Sequence, residues 1–132
     1  MQFDMPVRSS NSRVLVWPRR EQVVAAARSY ARHLVDTDAR VVRVGLVGSY
    51  AIGTEGPGSD ADLLVEMREC AAPPTRRALE LPPPDLPVPV DLLVFTEGEV
   101  EELRLSRPRW AREVLQSALW LAGRGAQDRD PM

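Results

Sequence analysis

The sequence of 132 residues contains no lysine, a single cysteine and a single histidine. One cysteine, Cys70, excludes an internal disulfide, and one cysteine with one histidine is too few for a zinc site. Without lysine, the chain cannot form the Gly-Lys-Ser/Thr motif of a P-loop. No GxGxxG spacing occurs either, which excludes the dinucleotide-binding fingerprint.

Long apolar runs are also missing from the sequence. No stretch approaches the ~20 apolar residues that a membrane-spanning helix needs, and residues 1–18 lack the continuous apolar segment of a secretory signal. The simplest interpretation is a cytoplasmic protein. The net charge of −2 argues against general nucleic-acid binding.

Charge is distributed unevenly along the chain. Residues 44–103 contain three arginines and twelve acidic residues, a net charge of −9, whereas residues 1–43 carry +4 and residues 104–132 carry +3. The acidic central block suits the binding of cations. For Glu97–Glu102 we prefer the alternative, a solvated acidic surface.

Hydrophobic patterning predicts an α+β fold, with a mixed sheet and helices mainly on one of its faces. Apolar residues at helical spacing predict a helix from Pro18 to about residue 36, and capping signals predict two further helices. These span residues 97–105 and residues 108–118. Apolar runs predict strands at 41–47, 61–67 and 90–96, a final short strand at 119–122, and a short edge strand at 13–17. The proline-rich segment between the second and third long strands is predicted to be an ordered connection, with one or two helical turns near 75–81.

The stretch GLVGSYAIGTEGPGSDADLLV, residues 45–65, joins two of these strands through a glycine-rich loop at 48–59 that we predict to be flexible. Side chains at positions i and i+2 of a strand share a face and lie about 6.5–7 Å apart, so Asp60 and Asp62 project together. Asp91 begins the next strand in the same Asp-Leu-Leu-Val pattern. If the two strands are neighbours, three carboxylates meet at one end of the sheet.

Three carboxylates so close repel one another, and a divalent cation resolves that conflict. Oxygen-only ligands favour Mg²⁺, and two such ions about 3.5–4 Å apart form the clamp used in phosphoryl and nucleotidyl transfer. Gly48 lets a phosphate approach the backbone, and Ser49 can donate its hydroxyl. An EF-hand does not fit, because Leu63-Leu64-Val65 follow the aspartates. An aspartate-rich turn that caps a strand remains the structural alternative.

Gly48-Ser49, ten intervening residues and Asp60-Ala61-Asp62 resemble the Gly-Ser-x(10)-Asp-x-Asp signature of minimal nucleotidyltransferases, relatives of DNA polymerase β. Asp91 resembles the third carboxylate of that superfamily, and the likeness extends over residues 20–122. The resemblance implies that Gly48 and Ser49 bind nucleotide phosphates and that Asp60 and Asp62 coordinate both metal ions. It also implies that Asp91 binds one metal and helps to activate the attacking hydroxyl.

Two further positions in the loop bear on this resemblance. Gly53 matches a glycine that is usual in the loop of the family. Ile52 departs from the pattern, because the family often has arginine or lysine there. We therefore expect another arginine, of this chain or of a partner, to help hold the triphosphate.

The resemblance also implies a domain organisation and a biological setting. We expect an N-terminal extension over residues 1–18, a nucleotidyltransferase domain over 19–122 and a disordered tail over 123–132. Free-standing members of this size are often antitoxins encoded beside a HEPN-domain ribonuclease, and some inactivate that toxin by transferring AMP to a tyrosine. We expect a chain this short to lack the acceptor-binding domain of antibiotic or tRNA nucleotidyltransferases, which would favour a protein partner as the acceptor.

The function implied is Mg²⁺-dependent transfer of a nucleotide, with Mn²⁺ as a substitute ion and ATP or another nucleoside triphosphate as the donor. The acceptor would be a tyrosine of a HEPN-type toxin. Two alternatives remain open: a catalytically weak module that neutralises its partner by binding, and an enzyme acting on a small molecule such as an aminoglycoside. An oligomer is compatible with the sequence.

Overall fold

A computed structural model describes residues 7–8 and 15–124, with side chains from residue 17 onward. The helices are α1 (Arg20–Thr37), α2 (Ser49–Ile52), α3 (Glu97–Ser106) and α4 (Pro108–Ser117), and a 3-10 helix spans Pro74–Glu80. The strands are β1 (Val7–Arg8), β2 (Leu15–Val16), β3 (Val41–Val47), β4 (Ala61–Met67), β5 (Val90–Thr96) and β6 (Leu119–Gly123). No helix in this described part is long and apolar enough to cross a membrane.

Four strands form the main sheet, in the order β5-β4-β3-β6. β3 pairs antiparallel with β4 and with β6, whereas β4 and β5 run parallel. Parallel neighbours need a long crossover connection, and residues 68–89 supply it. The α+β class and the mixed sheet are therefore confirmed, and the three long strands occupy the predicted ranges.

Helix α1 covers one face of this sheet with an apolar stripe. Val23, Ala27 and Leu34 are fully buried, as their helical spacing predicts. They belong to a core cluster that includes alternate residues of β4, among them Leu63 and Val65. Alternate residues of a strand point to the same face, so one face of β4 packs in this cluster.

The crossover is ordered because it is anchored at several points. Three of its apolar side chains join the α1 core cluster, Leu81, Leu86 and Val88. The Tyr30 hydroxyl of α1 donates a hydrogen bond of 2.6 Å to the Pro82 carbonyl, and burial raises the pKa of Tyr30 to about 12. Buried Arg77 of the 3-10 helix donates to both carboxylate oxygens of Glu99, at 2.5 and 2.9 Å. The predicted helical turns near 75–81 are confirmed as this 3-10 helix.

Helices α3 and α4 lie on the opposite face, which differs from the expectation of helices mainly on one side. Leu64 of β4 and Phe95 of β5 line a small cavity together with Val100 of α3 and Trp110 of α4. The Phe95 and Trp110 rings meet edge to face, with 6.3 Å between centroids. The reason for two covered faces is that β3 and β4 are apolar at nearly every position, so burying one face would leave the other exposed.

The short strand predicted within 13–17 is present as β2 in the part of that range that the structure describes. It pairs with β1 in a separate two-stranded sheet and not with the main one. Trp17 leaves that strand and packs against the α1 core cluster. Residues 13 and 14 lie outside the described residues, as do 125–132 of the predicted tail, while β6 continues to Gly123.

Gly45, in the middle of β3, is required by close packing. A Cβ atom at this position would lie 2.7 Å from Cε3 of Trp120 and 3.1 Å from the carbonyl oxygen of Leu119. The indole is also held in place by Arg43, whose guanidinium lies 3.8 Å from its ring centroid. Arg43 is itself held by Glu66 at 2.7 Å.

We therefore expect Gly45→Ala to lower the free energy of unfolding by about 1–3 kcal/mol, the usual range for overpacking. Gly56→Ala is the matched control, since a Cβ at Gly56 meets nothing within 4 Å, and it should change stability by about 0.5 kcal/mol or less. Urea titration of both variants measures the difference. Equal stability of the two variants would contradict the packing described for Trp120.

Candidate active site

Two carboxylates lie side by side where β4 and β5 begin. Asp62 is the register partner of Asp91 in the parallel pair, and Val47 at the end of β3 is its partner on the other side. Partners on neighbouring strands are about 4.8 Å apart and point to the same face of the sheet. The expected adjacency of these two strands is confirmed, and it brings Asp62 and Asp91 to one edge of the sheet.

Asp60 lies two residues before Asp62, just outside β4. The amide of Ala61 donates to the Pro89 carbonyl at 2.9 Å, so the chain is already held beside the β5 end of the crossover at this point. Asp60 and Asp91 are exposed, whereas Asp62 is half-buried. The three predicted carboxylates therefore share one end of the sheet, with Asp62 the most enclosed.

The electrostatics of Asp62 reflect this crowding. Burial raises the pKa of the Asp62 carboxyl, and the negative charges of Asp91 and Asp60 raise it further. Both causes disfavour the ionised form, because burial removes water and the neighbours repel a third negative charge. A cation beside Asp62 would oppose both effects.

Gly48 closes the site from the β3 side. Its backbone has φ of 75° and ψ of −148°, a region that is essentially restricted to glycine. A Cβ atom there would lie 2.7 Å from Oδ2 of Asp62. The carboxylate thus rests directly against the backbone of Gly48, a contact that a side chain at this position would prevent.

The loop predicted over 48–59 contains one regular element that the sequence did not reveal. Gly48 is the N-cap of α2, whose first residue is Ser49, and the Ala51 amide donates to the Gly48 carbonyl at 3.0 Å. Gly53 ends α2 in the left-handed conformation, with φ of 80°, which is the usual role of a C-terminal glycine. Ile52 is 60% exposed.

Sequence reasoning missed the residues that lie behind this loop. Tyr50 of α2 is 1% exposed, so it anchors the loop from inside the protein. Glu55 forms an ion pair with Arg20 at the start of α1. The available signal was Tyr50, an aromatic residue directly after Gly-Ser in a loop of small and polar residues; nothing in the sequence pointed to Arg20, which lies 35 positions before Glu55.

The donors at this edge suit a hard divalent cation, because they are all carboxylate oxygens. Within the described residues, however, no three acidic, histidine or cysteine side chains are gathered closely enough to form a ligand set. Repulsion among three negative charges works against a closer approach. The arrangement therefore fits a Mg²⁺ site in donor chemistry and position, and the side chains would have to draw together around an ion.

Gly48→Ala should lower the free energy of unfolding by about 3 kcal/mol, because backbone strain is added to the contact with Asp62. Gly53→Ala is the control: its φ is also positive, but a Cβ there meets nothing within 4 Å. That variant should lose only about 1–2 kcal/mol, the penalty of the left-handed conformation. Denaturant titration compares the two, and equal losses would argue against close contact between Gly48 and Asp62.

Asp62→Asn should stabilise the metal-free protein at neutral pH. The folded-state pKa of Asp62 is raised above the unfolded value of about 4, so between these two pKa values the folded protein binds more protons than the unfolded chain. The ionised carboxylate therefore costs stability at pH 7, and this cost is lost as the pH falls through the folded-state pKa to below about 4. The urea midpoint of the variant should exceed that of the wild type at pH 7 and converge with it near pH 3.

Asp85→Asn, at an exposed aspartate of the crossover, is the control for that comparison. It should leave the free energy of unfolding at pH 7 within about 0.5 kcal/mol of wild type, as is usual for an exposed substitution. If Asp62→Asn destabilised the protein at pH 7, Asp62 would not be under the repulsion described above.

Comparisons with known proteins identify the family of this chain. A family model described as a nucleotidyltransferase domain matches residues 28–107. No curated protein matches the chain. The matched range includes Gly48, Ser49 and all three aspartates of the candidate site.

Solved structures share the fold at low sequence identity. A protein from Sulfolobus solfataricus, assigned provisionally to the nucleotidyltransferases, is 17% identical, with a TM-score of 0.55, and the match covers 80% of this chain and 84% of that one. The crystal structure of a toxin–antitoxin with AMP-PNP is 19% identical, with a TM-score of 0.45, covering 84% of this chain and 78% of that one.

The first of these structures supports a common fold, and the family model supports membership of a family. It matches more than half of the chain. Members of the family use a nucleoside triphosphate and a divalent metal. The chain therefore belongs to the nucleotidyltransferase-domain family and is a nucleotidyltransferase.

Proposed function

We propose that this protein transfers AMP from ATP to a hydroxyl group of a partner protein, in a reaction that depends on Mg²⁺. The observation that carries the proposal is the register of β4 and β5, which sets Asp62 beside Asp91 at the edge where Gly48 ends β3. In the reaction, the acceptor oxygen forms a bond to the α-phosphorus of ATP. The bond from that phosphorus to the bridging oxygen breaks, and pyrophosphate leaves.

Each residue of the site has a proposed role. Asp60, Asp62 and Asp91 would hold two Mg²⁺ ions, or Mn²⁺ in their place, and such ions neutralise charge on the triphosphate and on the departing pyrophosphate. Gly48 presents backbone to the phosphates without a side chain, Ser49 offers a hydroxyl, and Gly53 lets the loop turn back after α2. Asp91, exposed on an edge strand, is open to an arriving hydroxyl and would help to accept its proton.

The loop supplies no positive charge of its own. Residues 44–67 contain no arginine or lysine, and the exposed side chain at the position where the family often has a cation is that of Ile52. An arginine from a partner could stabilise the transferring phosphate, as arginine fingers do in other phosphoryl transfers. We therefore propose that the isolated chain transfers nucleotide weakly and that the partner completes the site.

The proposed partner is a HEPN-type toxin and the proposed acceptor is one of its tyrosines, with this chain acting as the antitoxin. Support comes from the resemblance of the Gly48-Ser49 and Asp60-Ala61-Asp62 motif to minimal nucleotidyltransferases. The exposed edge strand β5 adds to it, since Asp91 is accessible to a side chain carried by another protein. The lack of arginine or lysine in the loop equally favours the second candidate, an antitoxin that neutralises its partner by binding alone.

Transfer from radiolabelled ATP to the product of the neighbouring reading frame, which the proposal expects to be a HEPN-type protein, tests the proposal. Label should appear on a tyrosine of the partner only with Mg²⁺ or Mn²⁺, and Asp60→Asn should reduce it by about 100-fold or more, since a metal ligand loses its charge. Asp85→Asn, which alters an exposed carboxylate of the crossover, should leave transfer unchanged. Complex formation should survive both substitutions.

Three outcomes would contradict the proposal in different ways. If Asp60→Asn still neutralised the toxin fully in cells, the binding-only function would be correct. If a small molecule such as an aminoglycoside accepted the label and no protein did, the acceptor would be wrong. If label were transferred as fast in excess EDTA as with Mg²⁺, the proposed metal site would be wrong.

A further inference from the structure

We infer that Arg20, Glu55 and Tyr50 are positioning residues for the nucleotide: they hold the Gly48–Ser59 loop in its binding conformation from behind. The inference rests on the proposed function, since it assigns the loop to the nucleotide phosphates. Its new content is that ATP affinity depends on the start of α1, a helix that contributes none of the residues of the candidate site.

The first support is an ion pair between the helix and the loop. Nη1 of Arg20 lies 2.8 Å from Oε1 of Glu55, and the two side chains are 35% and 16% exposed. Partial burial strengthens such a contact relative to a pair on the open surface, because solvent screens it less. Arg20 is therefore held by the loop, and the loop is held to a helix that is rigidly packed in the core.

The second support is the buried anchor beside that pair. Tyr50 is 1% exposed and belongs to the α1 core cluster. Burial raises the pKa of its hydroxyl, the Trp17 indole lowers it, Glu55 raises it and Arg20 lowers it. Trp17, Glu55 and Arg20 are thus all near enough to influence the Tyr50 hydroxyl, and we treat these four residues as one polar cluster behind the loop.

Trp17 belongs to this cluster, but its indole N–H forms no hydrogen bond within the described residues. Its Nε1 is buried, although the indole is close enough to Tyr50 to influence the hydroxyl. A buried donor left unpaired is costly.

Hydrogen bonds within the loop connect the cluster to the site. The Thr54 amide donates to the Ser49 carbonyl at 3.0 Å, and Thr54 directly precedes Glu55. On the other side of Glu55, the Gly56 amide donates to Oγ of Ser59 at 2.9 Å. Movement of Glu55 would therefore shift Ser49. Ser49 is adjacent to Gly48, whose backbone contacts Asp62.

The loop needs such support because it contains no cation and three glycines with positive φ, Gly48, Gly53 and Gly58. A loop of this kind loses conformational freedom when it closes around phosphates, and holding it beforehand reduces that loss. Where the family often supplies a cation directly at the position of Ile52, this chain uses Arg20 to hold Glu55, three residues farther along.

The test is a charge exchange measured by ATP binding. Calorimetry with ATP and Mn²⁺ should show that Arg20→Glu and Glu55→Arg each weaken ATP binding by about tenfold, within the range of coupled contacts. The double variant, in which the two charges are exchanged, should recover to within about threefold of wild type. Arg28→Glu, at an exposed position of the same helix, is the matched control and should bind ATP as wild type does.

A second arm separates positioning from simple stability and from direct phosphate contact. Mn²⁺ binding without nucleotide should be unchanged in every variant, because the three aspartates are intact. Glu55→Gln should weaken ATP binding as Arg20→Ala does. If Glu55→Gln instead strengthened binding, Arg20 would be a phosphate ligand released from Glu55, and the inference would be wrong.

The inference is also overturned if the charge exchange fails to recover affinity, or if the loss of affinity in the single variants follows their loss of thermal stability. Failure of the proposed function gives a different result. In that case wild type itself would not bind ATP in a manner that depends on Mn²⁺. If the wild type bound ATP and both single variants bound it equally well, the proposed function would stand and only the positioning role would be wrong.

Discussion

The hydrogen-bonded register between β4 and β5 is the constraint on which the candidate site depends. Because the two strands are parallel and in phase, Asp62 faces the same side as Asp91. A slip of one residue would turn one of the two carboxylates to the opposite face. The register is fixed by burial: Leu63 and Val65 belong to the α1 core cluster, while Leu64 faces α3 and α4.

This constraint has an electrostatic consequence. Burying both faces of β4 brings Asp62 into a half-buried position between other carboxylates, which raises its pKa. An arrangement of this kind reduces the stability of the metal-free fold, and functional sites commonly oppose stability in this way. Ion pairs elsewhere, such as Arg77 with Glu99 and Arg43 with Glu66, hold the surrounding elements together.

Particular elements explain how far the sequence could predict the fold. The three long strands were located correctly because each apolar run has glycine, proline or aspartate close to at least one of its ends. The sequence does not indicate which strand pairs with the short strand near residue 15, since two residues of strand carry no information about their pairing partner. The distribution of helices over both faces was not foreseen, although the apolar residues at nearly every position of β3 and β4 contained that signal.

By itself, the sequence determined which groups are available: three aspartates at strand starts, a glycine-serine turn, and no lysine anywhere. It determined the class of the fold as well, because strand and helix periodicities are local. Only the tertiary structure decided that Gly48 lies against Asp62 and that Arg20 meets Glu55 across 35 positions. Those contacts depend on how β3, β4 and α1 pack together, and packing between distant segments leaves no local pattern in a single sequence.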